Sequence, residues 1–494
     1  MILLDHLPVL VVVLPLLAAP LCVLIGQQRL AWLIALVAAV ASASAAVQLL
    51  WQVSHSGSLS YALGGWAPPW GIEYRIDLLG GYVLLLVTVM AALVLSFARR
   101  SVEREVLPSQ RINFYAALLL VQAGLTGIVV TGDAFNLFVF LEIASLASYA
   151  LVSMGPDRRA LSAAFNYLVM GTIGATFILI GIGFLYMMTG TLNMQDLAAR
   201  LPAVADSRTV RAGFAFLSVG VGLKLALFPL HFWLPNAYTY APSVVSALLA
   251  ATATKVALYI MLRLIFGVFG LTFAFEQMPM GALLIALGVV GVLSGSLVAL
   301  FQDNVKRLLA YSSIAQVGYM ALAMGLGSAT GVTAAMLHLF NHALMKGALF
   351  LALGAVTYRI GATGLKDLAG LGKQMPWTCA AIAIAGLSLI GVPASAGFIS
   401  KWYLVLATLE QGLWPLALVI LVGSLLALVY VWRIIESAYF SPWDNSRAAV
   451  QEAPLSMLLP IWLLVAGNLY FGIDTDLTVG VAKQATAVLL GGTP

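Results

Sequence analysis

Five ionisable side chains lie inside runs of sequence too apolar to be surrounded by water. Glu142 sits in Phe138-Val139-Phe140-Leu141-Glu142-Ile143-Ala144, with no basic residue near it in sequence. Lys224 falls within the run from Val219 to Leu225, Lys255 within Ala250 to Val256, Lys346 after Leu344-Met345, and Lys401 after Gly397-Phe398-Ile399-Ser400. His338, His342 and Lys346 recur every fourth residue, so a helix presents all three on one face. Ser312, Gln316 and Tyr319 do the same on another run, and Lys255 shares its face with Thr252 and Tyr259. Polar stripes of this kind hold ordered water, and water between titratable groups is a path for protons.

A charge at the centre of a membrane helix costs roughly 2.5–3.5 kcal/mol on insertion scales, so five cost about 12–18 kcal/mol. That exceeds the net stability of an ordinary domain, about 5–15 kcal/mol. The groups must therefore face one another or water. In general, burial favours a neutral lysine and a nearby carboxylate favours a charged one, so displacing one charge moves a proton on the next. Two unit charges about 7 Å apart interact by roughly 2.4 kcal/mol at an effective dielectric of 20. A membrane potential of about 150 mV supplies roughly 3.5 kcal/mol per charge, the same scale. Glu142 and Lys224 are read as a switchable pair, with Lys255, His338, His342, Lys346 and Lys401 relaying protons.

Blander readings stand beside this one. Glu142 can be a static salt-bridge anchor, and the lysines can be structural partners of helix ends or carbonyls. Lys401, close to a helix break, can cap freed carbonyls, and Lys346 can lie near a membrane boundary. His338 alone can be a hydrogen-bonded packing residue. His338 and His342 have metal-ligand spacing, but no carboxylate accompanies them, so no metal is expected. His231, between two prolines, is either a loop-packing residue or a proton access point, and Asp133 reads as an interfacial cap.

The elements that position these groups follow from bulk composition. Of 494 residues, 62% are hydrophobic and 9% charged, with a mean hydropathy of +1.03. Soluble domains carry roughly 25% charged residues, so this chain needs a lipid bilayer as solvent. The net charge of +5 comes from basic residues scattered singly or in pairs between apolar runs, a topology signal, so nucleic acid is not expected as a partner. Cys22 and Cys379 lie in apolar stretches, and no disulfide is expected. No Lys or Arg precedes Arg29, so the first run reads as a retained helix and not as a cleaved signal peptide. There is no cofactor motif, cysteine cluster or soluble domain, and no cofactor is expected.

Apolar runs lie near 7–25, 30–50, 78–98, 112–131, 134–153, 163–188, 210–230, 243–266, 281–301, 307–326, 331–357, 376–408, 413–438 and 456–473. Because about 20 apolar residues cross a bilayer core, these predict an all-α polytopic protein of about 14 transmembrane helices. The connections are mostly short, so sequence neighbours run antiparallel. The longest polar connection, 52–76, with Gly64-Gly65-Trp66 to Trp70, predicts a turn-rich interfacial element. Segment 190–209, with Leu192, Leu197 and Leu201, predicts a short amphipathic surface helix.

Two runs look interrupted. The 210–230 run ends in Phe228-Pro229-Leu230-His231-Phe232-Trp233-Leu234-Pro235, and the 376–408 run holds Gly391-Val392-Pro393 and Gly397 inside its length. Proline removes a donor and clashes with the preceding turn, and in lipid the freed groups survive only against protein or a water-filled cavity. Paired broken helices point to an inverted repeat with an ion site between its halves.

Placing the N-terminus outside puts 14 of the 24 basic residues inside: Arg29, Arg99, Arg100, Arg104, Arg111, Arg158, Arg159, Lys306, Arg307, Arg359, Lys366, Lys373, Arg433 and Arg447. Six fall outside: Arg75, Arg200, Arg208, Arg211, Arg263 and Lys483. The positive-inside rule then expects both termini outside the cytoplasm.

Four ordered segments resemble a known family. Gly132-Asp133-Ala134-Phe135-Asn136-Leu137-Phe138-Val139-Phe140-Leu141-Glu142 resembles the fifth-helix motif of the D-type subunit of Mrp-type multisubunit Na+/H+ antiporters. Lys306-Arg307-Leu308-Leu309-Ala310-Tyr311-Ser312-Ser313-Ile314-Ala315-Gln316 resembles the tenth-helix motif of the wider superfamily, which includes the antiporter-like subunits of complex I and of membrane-bound hydrogenases. His342-Ala343-Leu344-Met345-Lys346-Gly347-Ala348-Leu349-Phe350 and Gly397-Phe398-Ile399-Ser400-Lys401 resemble its eleventh- and twelfth-helix motifs.

The resemblance implies two inverted five-helix repeats with broken seventh and twelfth helices. It divides the single membrane domain, 1–494, into N-terminal helices (1–111), a first repeat (112–266), a second repeat (281–440) and a C-terminal helix (456–494). Glu142 and Lys224 would be the paired carboxylate and lysine, Lys255 the central relay, His338, His342 and Lys346 the eleventh-helix relay, and Lys401 the terminal lysine. The chain ends soon after its last apolar run, which favours the D-type over the larger antiporter-like subunits.

The expected function is proton and cation translocation in a multisubunit monovalent cation (Na+)/proton antiporter of a bacterial inner membrane, with other membrane subunits as partners. The alternative within the superfamily is a proton-pumping subunit of respiratory complex I or a membrane-bound hydrogenase. A third reading, from another class, is a stand-alone carrier for an organic solute, which would have a substrate cavity and act without partner genes.

Overall fold

The computed structural model describes residues 5–444 and 449–491; Arg447, counted above among the inside charges, lies outside the described residues. Backbone groups in lipid must bond within their own segment, and the apolar runs satisfy this as helices. The first six are α1 (Leu7–Ile25), α2 (Gln28–Ser56), α3 (Leu78–Glu105), α4 (Arg111–Val130), α5 (Ala134–Ser153) and α6 (Arg159–Thr189). Short α7 (Met194–Arg200) leads to a split seventh crossing, α8 (Arg208–Leu225) and α9 (Trp233–Tyr240). The eighth crossing comprises α10 (Ser243–Ala251) and α11 (Ala253–Leu262). Then come α12 (Met280–Leu300), α13 (Val305–Gly325) and α14 (Ala329–Ile360), and a split twelfth crossing, α15 (Pro376–Ile390) and α16 (Ala396–Glu410). The chain continues as α17 (Trp414–Tyr439), α18 (Leu455–Ile473) and α19 (Asp476–Leu489).

Twelve spans are long and apolar enough to cross a membrane among the described residues, and the split seventh and twelfth crossings bring the total to the expected 14. α14, α13 and the eighth crossing are almost wholly enclosed by protein, whereas α1, α2, α6 and α12 present much of their length outward. The polar stripes therefore lie on the central helices. α14 packs against α10, α13, α15, α16 and α18.

The inverted repeat is visible in the main chain. Before α5, Ala134 N donates to Leu192 O and Met194 N to Gly132 O, both at 2.8 Å. Before α13, Val305 N donates to Thr363 O and Leu365 N to Asp303 O, again both at 2.8 Å. Each clasp closes a helical hairpin of the same length, 62 residues on (132 to 194, 303 to 365). Asp133 and Asn304 occupy the same place in the two clasps, and each caps the helix that follows it. Close helix packing repeats as well. A Cβ at Gly124 would lie 2.6 Å from Ala144 N, and one at Gly318 would lie 2.7 Å from Gly288 O, so α4–α5 and its counterpart α12–α13 both need glycine to approach.

The breaks have identifiable partners. α8 ends with Ala226 in the left-handed region at φ 59°, and Leu223 O accepts from both Ala226 N at 3.1 Å and Trp233 Nε1 at 2.9 Å. α15 ends at Gly391, φ 94°, and Ala394 beyond it has φ 66°. A third break was not expected. Thr252, at φ −125° and ψ −53°, separates α10 from α11 with no proline or glycine beside it.

Three other expectations are corrected or refined. The 52–76 connection forms an antiparallel ribbon, β1 (Leu59–Ala62) on β2 (Glu73–Ile76), with Leu59 opposite Ile76. Within 190–209, Met194–Val204 is helical ahead of α8, and Leu197 and Leu201 are buried. The single C-terminal helix expected over 456–494 is two helices. α19, at 14 residues about 21 Å long, is too short to span and packs against α3 and α14.

Candidate ion-translocation site

Glu142 and Lys224 meet where α5 passes the end of α8. Lys224 Nζ lies 3.6 Å from Glu142 Oε1, with side-chain exposures of 10% and 25%. Lys224 sits in the last turn of α8, where the helix dipole favours a cation. It donates to Ser145 Oγ at 2.8 Å and to Tyr149 Oη at 3.4 Å, one helical turn and two along α5 from Glu142. Glu142 Oε1 accepts no protein hydrogen bond. The pair is thus electrostatic and loosely held, free of the geometric locking of a bidentate bridge. Glu142 shares a stripe of α5 with exposed Phe135, Val139 and Leu146.

A cavity of about 40 Å³ lies beside Lys224, lined by Ser145, Ser148 and Tyr167 on one side and by Ala253, Val256 and Ala257 of α11 on the other. Since a water needs roughly 10–15 Å³ by this measure and two to four polar partners, the space accommodates water between Lys224 and the helix that carries Lys255.

Lys255 is fully buried and caps the third break, donating to Ala250 O and to Thr254 Oγ1 at 3.3 Å. Lys346 donates to Leu309 O at 2.8 Å and Ser312 Oγ at 2.5 Å. His342 is fully buried, with neither ring nitrogen hydrogen-bonded to protein. Lys255, Lys346 and His338 are all near enough to act on His342 electrostatically. The His338 ring stacks on that of His342, centroids 5.9 Å apart. It bonds Gln316 Oε1 through Nε2 at 2.8 Å and Ser400 Oγ through Nδ1 at 2.9 Å.

Ser400 precedes Lys401, whose Nζ donates to Leu389 O at 3.2 Å, Ile390 O at 2.8 Å and Ser424 Oγ at 2.9 Å. The ammonium also lies 4.9 Å from the centre of the Tyr319 ring. All seven sequence-predicted groups are thus brought into one band from α5 to α17. Glu142 and Lys224 are paired as expected. The expectation that the charges face one another or water is corrected for the other three lysines: carbonyls and hydroxyls satisfy them, because breaks in α10–α11 and α15–α16 and the serines of α13 and α17 supply acceptors in place of carboxylates. His231 is buried and stacked between Phe228 and Phe232 at 5.2 and 4.7 Å, and its Nδ1 has no protein partner. Asp133 caps α5 through Asn136 N at 2.7 Å.

Two ion pairs escaped the sequence reading, one buried and one half-buried, both at the ends of α3. Glu105 accepts from Ser101 Oγ at 2.6 Å and from Ser243 N and Oγ at 2.9 Å, and lies 4.0 Å from Lys306 Nζ. Asp77 holds Arg263 through its two terminal guanidinium nitrogens. α3 therefore clamps the eighth crossing at both ends. Lys306 and Arg263 read as topology charges from sequence. The available signal was a carboxylate at each end of the same apolar run.

The NADH:quinone oxidoreductase/Mrp antiporter transmembrane family model matches residues 131–427. The N-type subunit of NADH-quinone oxidoreductase from Desulforudis audaxviator is 42% identical over 486 residues, covering 95% of this chain and 96% of its own. The D-type subunit of the Na(+)/H(+) antiporter from Alkalihalophilus pseudofirmus is 31% identical over 430 residues, covering 87% and 86%. Among solved structures, a chain of the Mrp complex from a Dietzia species superposes with a TM-score of 0.91 at 26% identity, covering 99% of this chain and 98% of that one. The matched segment holds the whole band from Glu142 to Lys401, and the chain belongs to the NADH:quinone oxidoreductase/Mrp antiporter family as an antiporter-like membrane subunit.

Proposed function

We propose that the chain relays protons across the membrane interior as a subunit of a heteromeric monovalent cation/proton antiporter, with Na+ as the cation. The observation that carries this reading is the Glu142–Lys224 pair, loosely held at 3.6 Å beside a cavity that borders the Lys255 helix. In this reading Lys224 passes a proton toward Lys255 when Glu142 is neutralised or drawn away. His342 bridges Lys255 and Lys346, and His338 with Ser400 leads to Lys401. The partly exposed stripe carrying Glu142 faces a partner subunit. The segments divide as N-terminal helices (1–111), first repeat (112–266), second repeat (281–440) and C-terminal part (456–494), in a bacterial inner membrane with both termini outside.

The test is Lys224→Ala in the assembled complex, with proton-coupled cation exchange as the readout. Loss of exchange at normal assembly supports the relay, and full exchange overturns it.

A second reading stands on the 42% relative: a proton-pumping subunit of a quinone-reducing complex. The same side-chain band serves it, with the driving reaction elsewhere. Purification with companion subunits separates the two: small membrane subunits support antiport, iron–sulfur or quinone-reducing subunits support the pump.

A further inference from the structure

At the membrane face where α3 begins, a cavity of about 670 Å³ lies between α3, the ends of α4 and the eighth crossing, and α19. Its rim includes exposed Ser58, Gln195 and Leu271, and its floor is Asp77, Arg263 and Tyr259. Tyr259 is 2% exposed. It lies one turn along α11 from Lys255, about 6 Å of helix rise, and Arg263 lies one turn further. The three residues form a row from the buried lysine to the cavity.

Every polar atom in that row that faces the cavity floor is committed. Arg263 gives Nη1 to Asp77 Oδ2 at 2.5 Å, Nη2 to Asp77 Oδ1, and Nε to Tyr259 Oη at 2.9 Å. Tyr259 Oη in turn donates to Val129 O at 2.8 Å, and Asp77 Oδ1 accepts from Gly80 N at 2.9 Å as the cap of α3. A tyrosine hydroxyl spent on a backbone carbonyl cannot hand a proton onward. Pairing neutralises the guanidinium, but its fixed N–H groups still present only donors to the passage and take up both carboxylate oxygens of Asp77, the one group there that could accept a proton. The bidentate geometry holds the guanidinium in place.

We propose that Asp77, Arg263 and Tyr259 form an electrostatic plug that closes Lys255 to protons from the 670 Å³ cavity. The inference rests on the reading of Lys255 as a proton-carrying group. The plug makes the relay vectorial: protons reach Lys255 along the central band and do not escape sideways at this end of the first repeat.

The test uses the whole complex in vesicles with a trapped pH-sensitive dye, an imposed pH step, and neither redox substrate nor counter-cation. Arg263→Gln is expected to leak protons about tenfold faster than native, since a charge-assisted pair is worth about a decade in rate. Arg263→Lys, which keeps the charge, stays nearer native, and adding Lys255→Ala to Arg263→Gln removes the leak. If Arg263→Gln fails to assemble, Tyr259→Phe keeps the ion pair but frees its tie, and an increased leak supports the plug. A native leak in an assembled Arg263→Gln or Tyr259→Phe complex overturns the plug, as does a leak that survives Lys255→Ala. Native leak together with loss of exchange in Lys224→Ala overturns the plug alone; full exchange in Lys224→Ala overturns the relay reading whatever the leak.

Discussion

The two lysines at the ends of the band, Lys224 in the first half and Lys401 in the second, are held by different physics. In the first, Lys224 faces a carboxylate that itself lacks a hydrogen bond on Oε1. In the second, Lys401 faces two carbonyls at the end of α15 and the hydroxyl of Ser424. Both ammonium groups lie near a tyrosine ring, Tyr149 at 6.0 Å and Tyr319 at 4.9 Å, so the surroundings are otherwise alike. The difference teaches where charge is adjustable. A carboxylate can be neutralised or drawn off, which changes its neighbour's charge state. Carbonyls at a helix end are permanent partial charges, so they set a level and do not switch it.

That contrast is open to direct attack. The largest expected effect is Glu142→Gln, which removes an interaction of roughly 4–5 kcal/mol at an effective dielectric of 20, less a discount for the exposure of Glu142. Driven proton transport in the assembled complex falls by one to two decades on the scale of about 1.4 kcal/mol per decade, while thermal stability stays close to native. Unchanged transport would place the switch elsewhere.

Lys401→Met comes next and behaves differently. It leaves Leu389 O and Ile390 O without their donor, at about 1–3 kcal/mol each, so the melting temperature of the purified complex drops along with transport. A transport defect with native stability would show Lys401 to be a switch like Lys224.

The smallest effects sharpen the comparison. Ser424→Ala removes one of three fixed acceptors from Lys401, and Ser145→Ala removes one from a lysine that keeps its carboxylate. The first is expected to slow transport about fivefold, the ordinary worth of one hydrogen bond at about 1 kcal/mol, and the second to stay within about twofold of native. Equal effects, measured by the same exchange assay, would erase the distinction between the two sites.

Much of this was legible in the chain itself. Pro229, Pro235 and Pro393 announced the seventh and twelfth breaks, because a missing donor has a fixed consequence in lipid. The fourfold spacing of His338, His342 and Lys346 placed them on one face. What stayed hidden depended on partners far away in sequence. Nothing in Ala251-Thr252-Ala253 signals a break, which becomes tolerable because Lys255 reaches back to Ala250 O. Asp77 and Arg263 are 186 residues apart, and a count of basic residues assigns Arg263 a side of the membrane but no companion. α19 escaped because Asp476, Lys483 and its threonines leave no long apolar run, although it packs firmly on α14.

The matching fasteners ahead of α5 and α13 have a consequence for how such a protein can drift. The main-chain bonds of each join peptide groups, so beyond the capping side chains of Asp133 and Asn304 they ask chiefly for a fixed stretch of chain between their ends. Residue identities on the two sides are therefore free to diverge almost without trace while the hairpins stay superimposable. Adding or deleting a single residue within either hairpin is what the architecture would resist.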